Sequence, residues 1–386
     1  MVSVVSENGR SAARNHSPRT DVVITTISGG AFLEPFVQAL RDRPVRLIII
    51  PDLKTPPAIY QACEQATAAG VDVVCPTPDE QHALLEKLGA GNLIPWNSDN
   101  RRNVGYLLAW LGDADIVVSM DDDNLPLAPD FIDRHSVVTA GPDSYEVVSS
   151  TSGYFNACSL LETTPAGIFP RGYPYRHRVV DTEVTTTRAN VDVRINAGLW
   201  LGDPDVDAIT RLAVRPVATA YSGRTAVLAA DTWCPINSQN TALHRDAIPA
   251  YYFARMGYPV NGWPIDRYGD IFSGYFVQAC AKHLGHGVRF GDPVVDHPRN
   301  PHDLLADLAG ELSAILMIEE VVDHLREARL DGSDYRGAYL SLSHLLQDVA
   351  ERSTGLVWTP QARGFLHQTA HLMRAWLRML DTAAGA

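Results

Sequence analysis

Three adjacent carboxylates, Asp121-Asp122-Asp123, follow directly on the apolar run ADIVVSM (114–120). Side by side they repel one another, so such a triplet persists where a cation sits among them or where water solvates them. Oxygen-rich clusters suit Mg2+ or Mn2+, which keep coordination positions for water and substrate phosphates. A metal held there stabilises charge on a leaving diphosphate. The competing reading is a solvated acidic turn that caps a helix. Two features favour the metal. The preceding strand is strongly apolar, which puts the cluster at the end of a sheet. Upstream, Asp99-Asn100-Arg101-Arg102-Asn103-Val104-Gly105-Tyr106 opens a helix with two arginines. A helix start and a guanidinium both suit a phosphate. Arg102 is the arginine assigned to the substrate here, and its neighbour is read as surface charge.

The elements that must position these groups are short and regular. DVVITTI (21–27) reads as a buried strand closed by Gly29-Gly30, and VRLIII (45–50) as a second one closed by Pro51-Asp52. Helical spacing covers AFLEPFVQAL, 57–69, 78–88 and about 99–111, with further strands at 71–75, 93–96 and 114–120. Strands without polar alternation, separated by helices, indicate a parallel sheet covered on both faces. Ligands of such sheets sit beyond the carboxyl ends of the strands. Thr26, at the end of the first strand, and Asp122 are therefore expected to touch the substrate together with Asp121.

Composition limits the partners. The chain of 386 residues carries a formal charge of −13, which argues against a nucleic-acid partner and against docking on anionic lipid. Its five cysteines are scattered without a CxxC pair, as in a reducing compartment. No apolar run reaches the ~18–20 residues needed to span a bilayer, and the polar start lacks a signal core. A cytoplasmic protein with a disordered tail over 1–20 is expected, and its length makes two or three domains the prior.

The second half carries a more specific pattern. Phe169-Pro170-Arg171-Gly172-Tyr173-Pro174-Tyr175-Arg176-His177-Arg178 is followed by Asn196-Ala197-Gly198-Leu199-Trp200-Leu201-Gly202-Asp203-Pro204-Asp205-Val206-Asp207-Ala208. With Cys234-Pro235-Ile236-Asn237-Ser238-Gln239-Asn240 and Ile265-Asp266-Arg267-Tyr268-Gly269-Asp270, this order resembles the reversibly glycosylated polypeptides, whose plant members are UDP-arabinopyranose mutases. The resemblance runs over roughly residues 20–380. It implies a GT-A fold, an α/β unit with a Rossmann-like, mostly parallel sheet flanked by helices. It also implies a nucleotide sugar, most often a UDP-sugar, as substrate and Mn2+ (or Mg2+) as cofactor. Asp123 is then a direct metal ligand, and Asp121 faces the ribose or a metal-bound water. Arg171 matches the arginine on which the family is reported to carry sugar, and Arg178 a second arginine needed for mutase activity. Either guanidinium could instead clamp a diphosphate, and an arginine is a poor nucleophile at its normal pKa. Two departures stand out. Pro51-Asp52-Leu53 replaces an acidic-glycine segment, which leaves Asp52 as the nucleotide-base contact, and Tyr268-Gly269-Asp270 replaces Tyr-Asp-Asp.

Asp270 is expected at a helix start, either as a base or sugar-hydroxyl ligand or as the helix cap. His297, after the last short strand, is the third expected metal ligand, with His302 as its rival. Trp200 walls the sugar pocket or packs in the core, and Asn240 is a candidate for sugar hydroxyls. The unit is expected to span 21–302, and helical spacing over 303–386 indicates a C-terminal helical region that packs on it or joins subunits of a homo-oligomer. Three functions fit: a mutase returning the sugar to its own nucleotide, a transferase with a small-molecule acceptor, and a non-catalytic binding subunit.

Overall fold

The computed structural model describes residues 18–385. The chain begins with β1 (Thr20–Thr26), α1 (Leu33–Leu40), β2 (Val45–Pro51), α2 (Ala58–Ala68), β3 (Asp72–Val74) and α3 (Pro78–Lys87). It continues with α4 (Arg102–Leu111), β4 (Ile116–Asp121), β5 (Leu125–Pro126), α5 (Phe131–His135), β6 (Pro142–Ser150), β7 (Leu161–Thr164) and β8 (Val184–Gly202). Then come α6 (Ala208–Ala213), β9 (Val217–Tyr221), β10 (Ala226–Leu228), β11 (Asn240–His244), β12 (Pro259–Val260), β13 (Trp263–Pro264), α7 (Gly269–His283) and β14 (Gly287–His297). Three long helices finish it: α8 (Leu304–Glu327), α9 (Tyr335–Arg352) and α10 (Pro360–Ala384).

The expected α/β architecture is what the chain adopts. β3, β2, β1 and β4 form a parallel half-sheet in that spatial order. Val22, Val23 and Ile24 of β1 and Leu47 to Ile50 of β2 are wholly buried, because helices cover both faces and leave no side for polar residues. The chain reverses its direction of growth between β1 and β4. The carboxyl ends of those two strands, Thr26 and Asp121, therefore border the crevice where doubly wound sheets bind ligands. The second half of the sheet is mixed: β11 lies antiparallel between β4 and the long β8, while β14 runs parallel to β8. β5 pairs antiparallel with the end of β14, Leu125 opposite Asp296. That pairing carries the acidic triplet, just before β5, to His297.

Local signals set several helix starts. Thr77 and Glu80 form a reciprocal cap on α3, and Asp303, Asp334 and Thr359 cap the three C-terminal helices. The strand expected at 93–96 is absent. Pro95 has no N–H to give a ladder, and the Ile94 carbonyl accepts from Arg101 instead (3.2 Å). The expected tail falls mostly on 1–17, outside the described residues. Thr20 already belongs to β1, and the Arg19 carbonyl accepts from Asp115 and Ile116. The apolar core is continuous from Val22 to Ala383, across the boundary expected near 303. No helix among the described residues is long and apolar enough to cross a membrane.

Candidate active site

Arg102, Asp121, Asp123, Arg171, Asp270 and His297 line one polar cavity of about 180 Å3. These six residues come from α4, β4 and its following turn, the loop before β8, α7 and the end of β14. A neighbouring cavity of about 280 Å3 is lined by Thr26, Asp52 and Asp122, and Asp99 borders both.

At the strand ends, Asp122 accepts from the Thr26 hydroxyl at 2.6 Å. The Asp52 carboxylate accepts from the backbone N–H groups of Asn97 (2.9 Å) and Ser98 (3.1 Å) and so holds that loop beside the second cavity. Asp123 Oδ2 lies 3.6 Å from His297 Nε2 and accepts from the Asn300 side chain at 3.2 Å. The other ring nitrogen, Nδ1, meets the Asp203 carbonyl at 2.6 Å. A carbonyl only accepts, so Nδ1 carries the proton and Nε2 is aimed at Asp123. Burial works against charge on both residues, but their mutual attraction wins: Asp123 is held below the usual carboxylate range and His297 is raised.

Asp121 is turned another way. Its Oδ1 accepts from Arg102, whose guanidinium also donates to Ser119 Oγ (2.8 Å), the Met120 carbonyl (2.9 Å), the Ser238 carbonyl (3.0 Å) and Thr25 Oγ1 (3.0 Å). Arg102 is 4% exposed and works as a strut across the ends of β1 and β4 and the start of β11. Among the described residues no three His, Cys, Asp or Glu side chains are gathered closely enough to hold a metal ion. The expected trio of Asp121, Asp123 and His297 is thus reduced to a facing pair, with Asp121 drawn off by Arg102. The expectation of surface charge for Arg101 also fails. It is buried, stacks on Trp96 with 3.6 Å from guanidinium carbon to ring centroid, and burial lowers its pKa to about 10.

Arg171 is gripped from two sides. Nε and one terminal nitrogen donate to Asp205 (2.8 and 3.1 Å), and both terminal nitrogens donate to Asp270 (3.0 and 2.7 Å). Burial works against its charge, yet the two carboxylates raise its pKa well above the ordinary arginine value. Asp205 has the reciprocal shift: against burial, Arg171 and then Asn237 hold it at about 2. Asp270 lies in the first turn of α7 and makes no cap, since the cap position is Tyr268, without a side-chain bond. Of the two expected roles, the helix cap is excluded. Gly172 follows Arg171 with φ +85, and a Cβ there would come within 2.4 Å of Ile271 Cγ2. Only glycine lets the arginine loop close onto the start of α7.

The model of the reversibly glycosylated polypeptide family matches residues 16–383. The chain belongs to this family. UDP-arabinopyranose mutase 1 of Arabidopsis thaliana is 28% identical over 352 residues, covering 86% of this chain and 88% of the relative. UDP-arabinopyranose mutase 1 of Oryza sativa subsp. japonica is 27% identical over 342 residues, covering 85% and 83%. Among solved structures, glucosyl-3-phosphoglycerate synthase from Mycobacterium tuberculosis, in complex with Mn2+ and UDP-glucose, has a TM-score of 0.39 at 15% identity, covering 78% of each chain.

Three expected site residues of this family member lie away from both cavities. Arg178 donates to Asp207 (2.6 Å) and the Tyr173 carbonyl and stacks 3.7 Å from the Tyr175 ring centroid, so it braces the arginine loop from behind. Asn240 is fully buried in β11: Nδ2 donates to the carbonyls of Leu199 (3.2 Å) and Pro293 (3.0 Å), and Oδ1 accepts from His135 Nε2 (3.0 Å). With all its polar atoms used between strands, it has none for sugar hydroxyls. Trp200 is buried in β8 and packs in the core. His302 does line the first cavity but pairs with Asp307.

Some members of the site were given no role from sequence. Asp205 stands within the Pro-Asp-x-Asp-Ala run, where nothing distinguishes it from the cap residue Asp207. Arg211 and Arg299 line the first cavity from segments without a recognisable motif, and Arg267 does so from within the Ile265–Asp270 run. Glu311 of α8, 1% exposed, accepts from Arg267 Nε (2.9 Å) and the Ala208 backbone N–H (2.7 Å), so the helical region helps build the site wall.

Proposed function

We propose that this member of the reversibly glycosylated polypeptide family is an enzyme that breaks and re-forms the bond between the anomeric carbon of a sugar and the diphosphate of its nucleotide. The observation that carries this reading is the convergence of Asp123–His297 and Arg171–Asp270 on one cavity at the strand ends, beside a second cavity at Thr26 and Asp52. The second cavity takes the nucleoside, with UDP favoured by the relatives' names. The first takes the diphosphate and sugar.

Asp123 and His297 suit a divalent cation as a pair of ligands. His297 has the tautomer a ligand needs, enforced by the Asp203 carbonyl, and Asp123 offers an ionised oxygen. Mn2+ or Mg2+ would be held by these two, with Asp121 reaching through water. When bound, it supplies positive charge to the diphosphate leaving group. The charge of Arg171 is offset by Asp205 and Asp270, which take up its nitrogens; this supports a positioning role over attachment of sugar to the guanidinium. Asp270, on the cavity wall, is placed to accept from a sugar hydroxyl and orient it.

The test is incubation with Mn2+ and UDP-arabinopyranose followed by separation of pyranose and furanose forms. Interconversion is expected. Absence of conversion, together with turnover of another nucleotide sugar, would replace the mutase reading with a transferase one. Failure of UDP to raise the melting temperature would remove the nucleotide-sugar reading altogether.

A further inference from the structure

On the far side of His297 lies a larger open groove of about 640 Å3. It shares Arg211, His297, Arg299 and His302 with the wall of the site cavity. Val214, Val217 and Leu304 give its lining an apolar part. Three arginines also line it: Arg211 is paired with Asp203 and Arg299 with Asp307, which leaves Arg215. Arg215 is exposed and makes no ion pair among the described residues. A chain with a formal charge of −13 has thus gathered cations along one groove that abuts its reactive site. Arg299 also holds a left-handed backbone (φ 48), which costs an ordinary side chain energy and tends to persist where surroundings impose it for function.

We infer that this groove seats a second small molecule next to the nucleotide sugar, an anionic compound bearing a phosphate or carboxylate on an apolar body. Arg215 meets the anion, and Val214 and Val217 meet the body. A sugar that only returns to its own nucleotide needs no such site, so the inference rests on the nucleotide-sugar reading and extends it toward an acceptor. The charge pattern argues for an anion over a neutral sugar: an unpaired guanidinium at a groove wall gains most from a phosphate or carboxylate.

The test is calorimetric titration of the full chain, already saturated with UDP and Mn2+, with phenyl phosphate as the probe. Saturable binding to the UDP-loaded protein is expected. In Arg215→Ala the dissociation constant should rise about tenfold, and in Val217→Glu by at least as much, while UDP affinity stays the same in both. Phenyl phosphate that binds only when UDP is left out would show that it occupies the diphosphate site and would overturn the inference. So would binding unchanged in both variants, or none at all. UDP itself failing to bind, with phenyl phosphate still sensitive to Arg215→Ala, would refute the nucleotide-sugar reading and leave the groove standing.

Discussion

Arg171 and Asp270 meet end-on in the protein interior, two terminal guanidinium nitrogens against two carboxylate oxygens at 3.0 and 2.7 Å, although 99 residues separate them. Asp205 takes the adjacent edge of the same guanidinium, through Nε and the terminal nitrogen it shares with Asp270. One arginine between two buried carboxylates is a fixed charge, oriented by its neighbours before any ligand arrives. That pre-set arrangement fixes where the Asp270 carboxylate stands on the cavity wall.

Removing one side of this grip should be costly. Asp205→Asn is expected to lose about 3 kcal/mol of stability near neutral pH, as when a buried ion pair loses one partner. Because the folded carboxyl titrates at about 2, below its ordinary 3.8, its contribution is present above the ordinary value and disappears as pH falls through the folded one. Denaturant titrations of the two proteins should differ most above pH ~4 and converge toward pH ~2. A gap that stayed constant across that range would contradict the charge argument.

The interior histidine governs a separate window. His135 is wholly buried between Asn196 and Asn240, and burial lowers its pKa from 6.5 to about 4. The unfolded chain therefore binds the extra proton first. Stability should fall by roughly 3 kcal/mol as pH drops from about 6.5 to about 4. His135→Gln should be less stable at pH 7, since the amide does not reproduce both ring contacts, but flatter between those pH values. Unfolding followed by circular dichroism at several pH values reads both slopes.

Asp123→Ala is expected to fold, with a thermal unfolding curve close to the parent, and to lose at least about 100-fold in Mn2+-dependent turnover of a UDP-sugar. Chelation of divalent metal should silence the parent protein to the same extent. Full turnover in the variant would remove Asp123 from the site.

Gly172→Ala tests the backbone that presents Arg171. The positive φ and the 2.4 Å approach to Ile271 leave no room for a methyl group. A destabilisation of about 2 kcal/mol is expected from the strain, with turnover falling further than stability explains because Arg171 is displaced. Melting temperature and kcat/KM measured on the same preparation separate the two effects.

The sequence alone determined most elements of the first half and the place of the acidic triplet at a strand end. Apolar runs such as VRLIII and ADIVVSM have one stable environment, a sheet covered on both faces, and whatever follows them must emerge at its edge. Asp121, Asp122, Asp123, Thr26 and Asp52 were legible for that reason, and the motif around Arg171 marked the second half of the site. What only the tertiary structure decided is which charges face one another. Like residues in like motifs received opposite fates. Asp205 grips Arg171 while Asp207, two positions on, holds Arg178 behind the cavity, and Arg101 stacks on Trp96 while Arg102 braces the strand ends. Asn240 and Trp200, readable as sugar contacts, are spent on holding strands together. The physical reason is that buried polar groups must be paired, and the hydrogen-bond partners here lie 18 to 41 residues away. Local sequence places a side chain on its element. The crossing of β8, β11 and β14 and the docking of α7 and α8 choose its partner, and with it the chemistry it can perform.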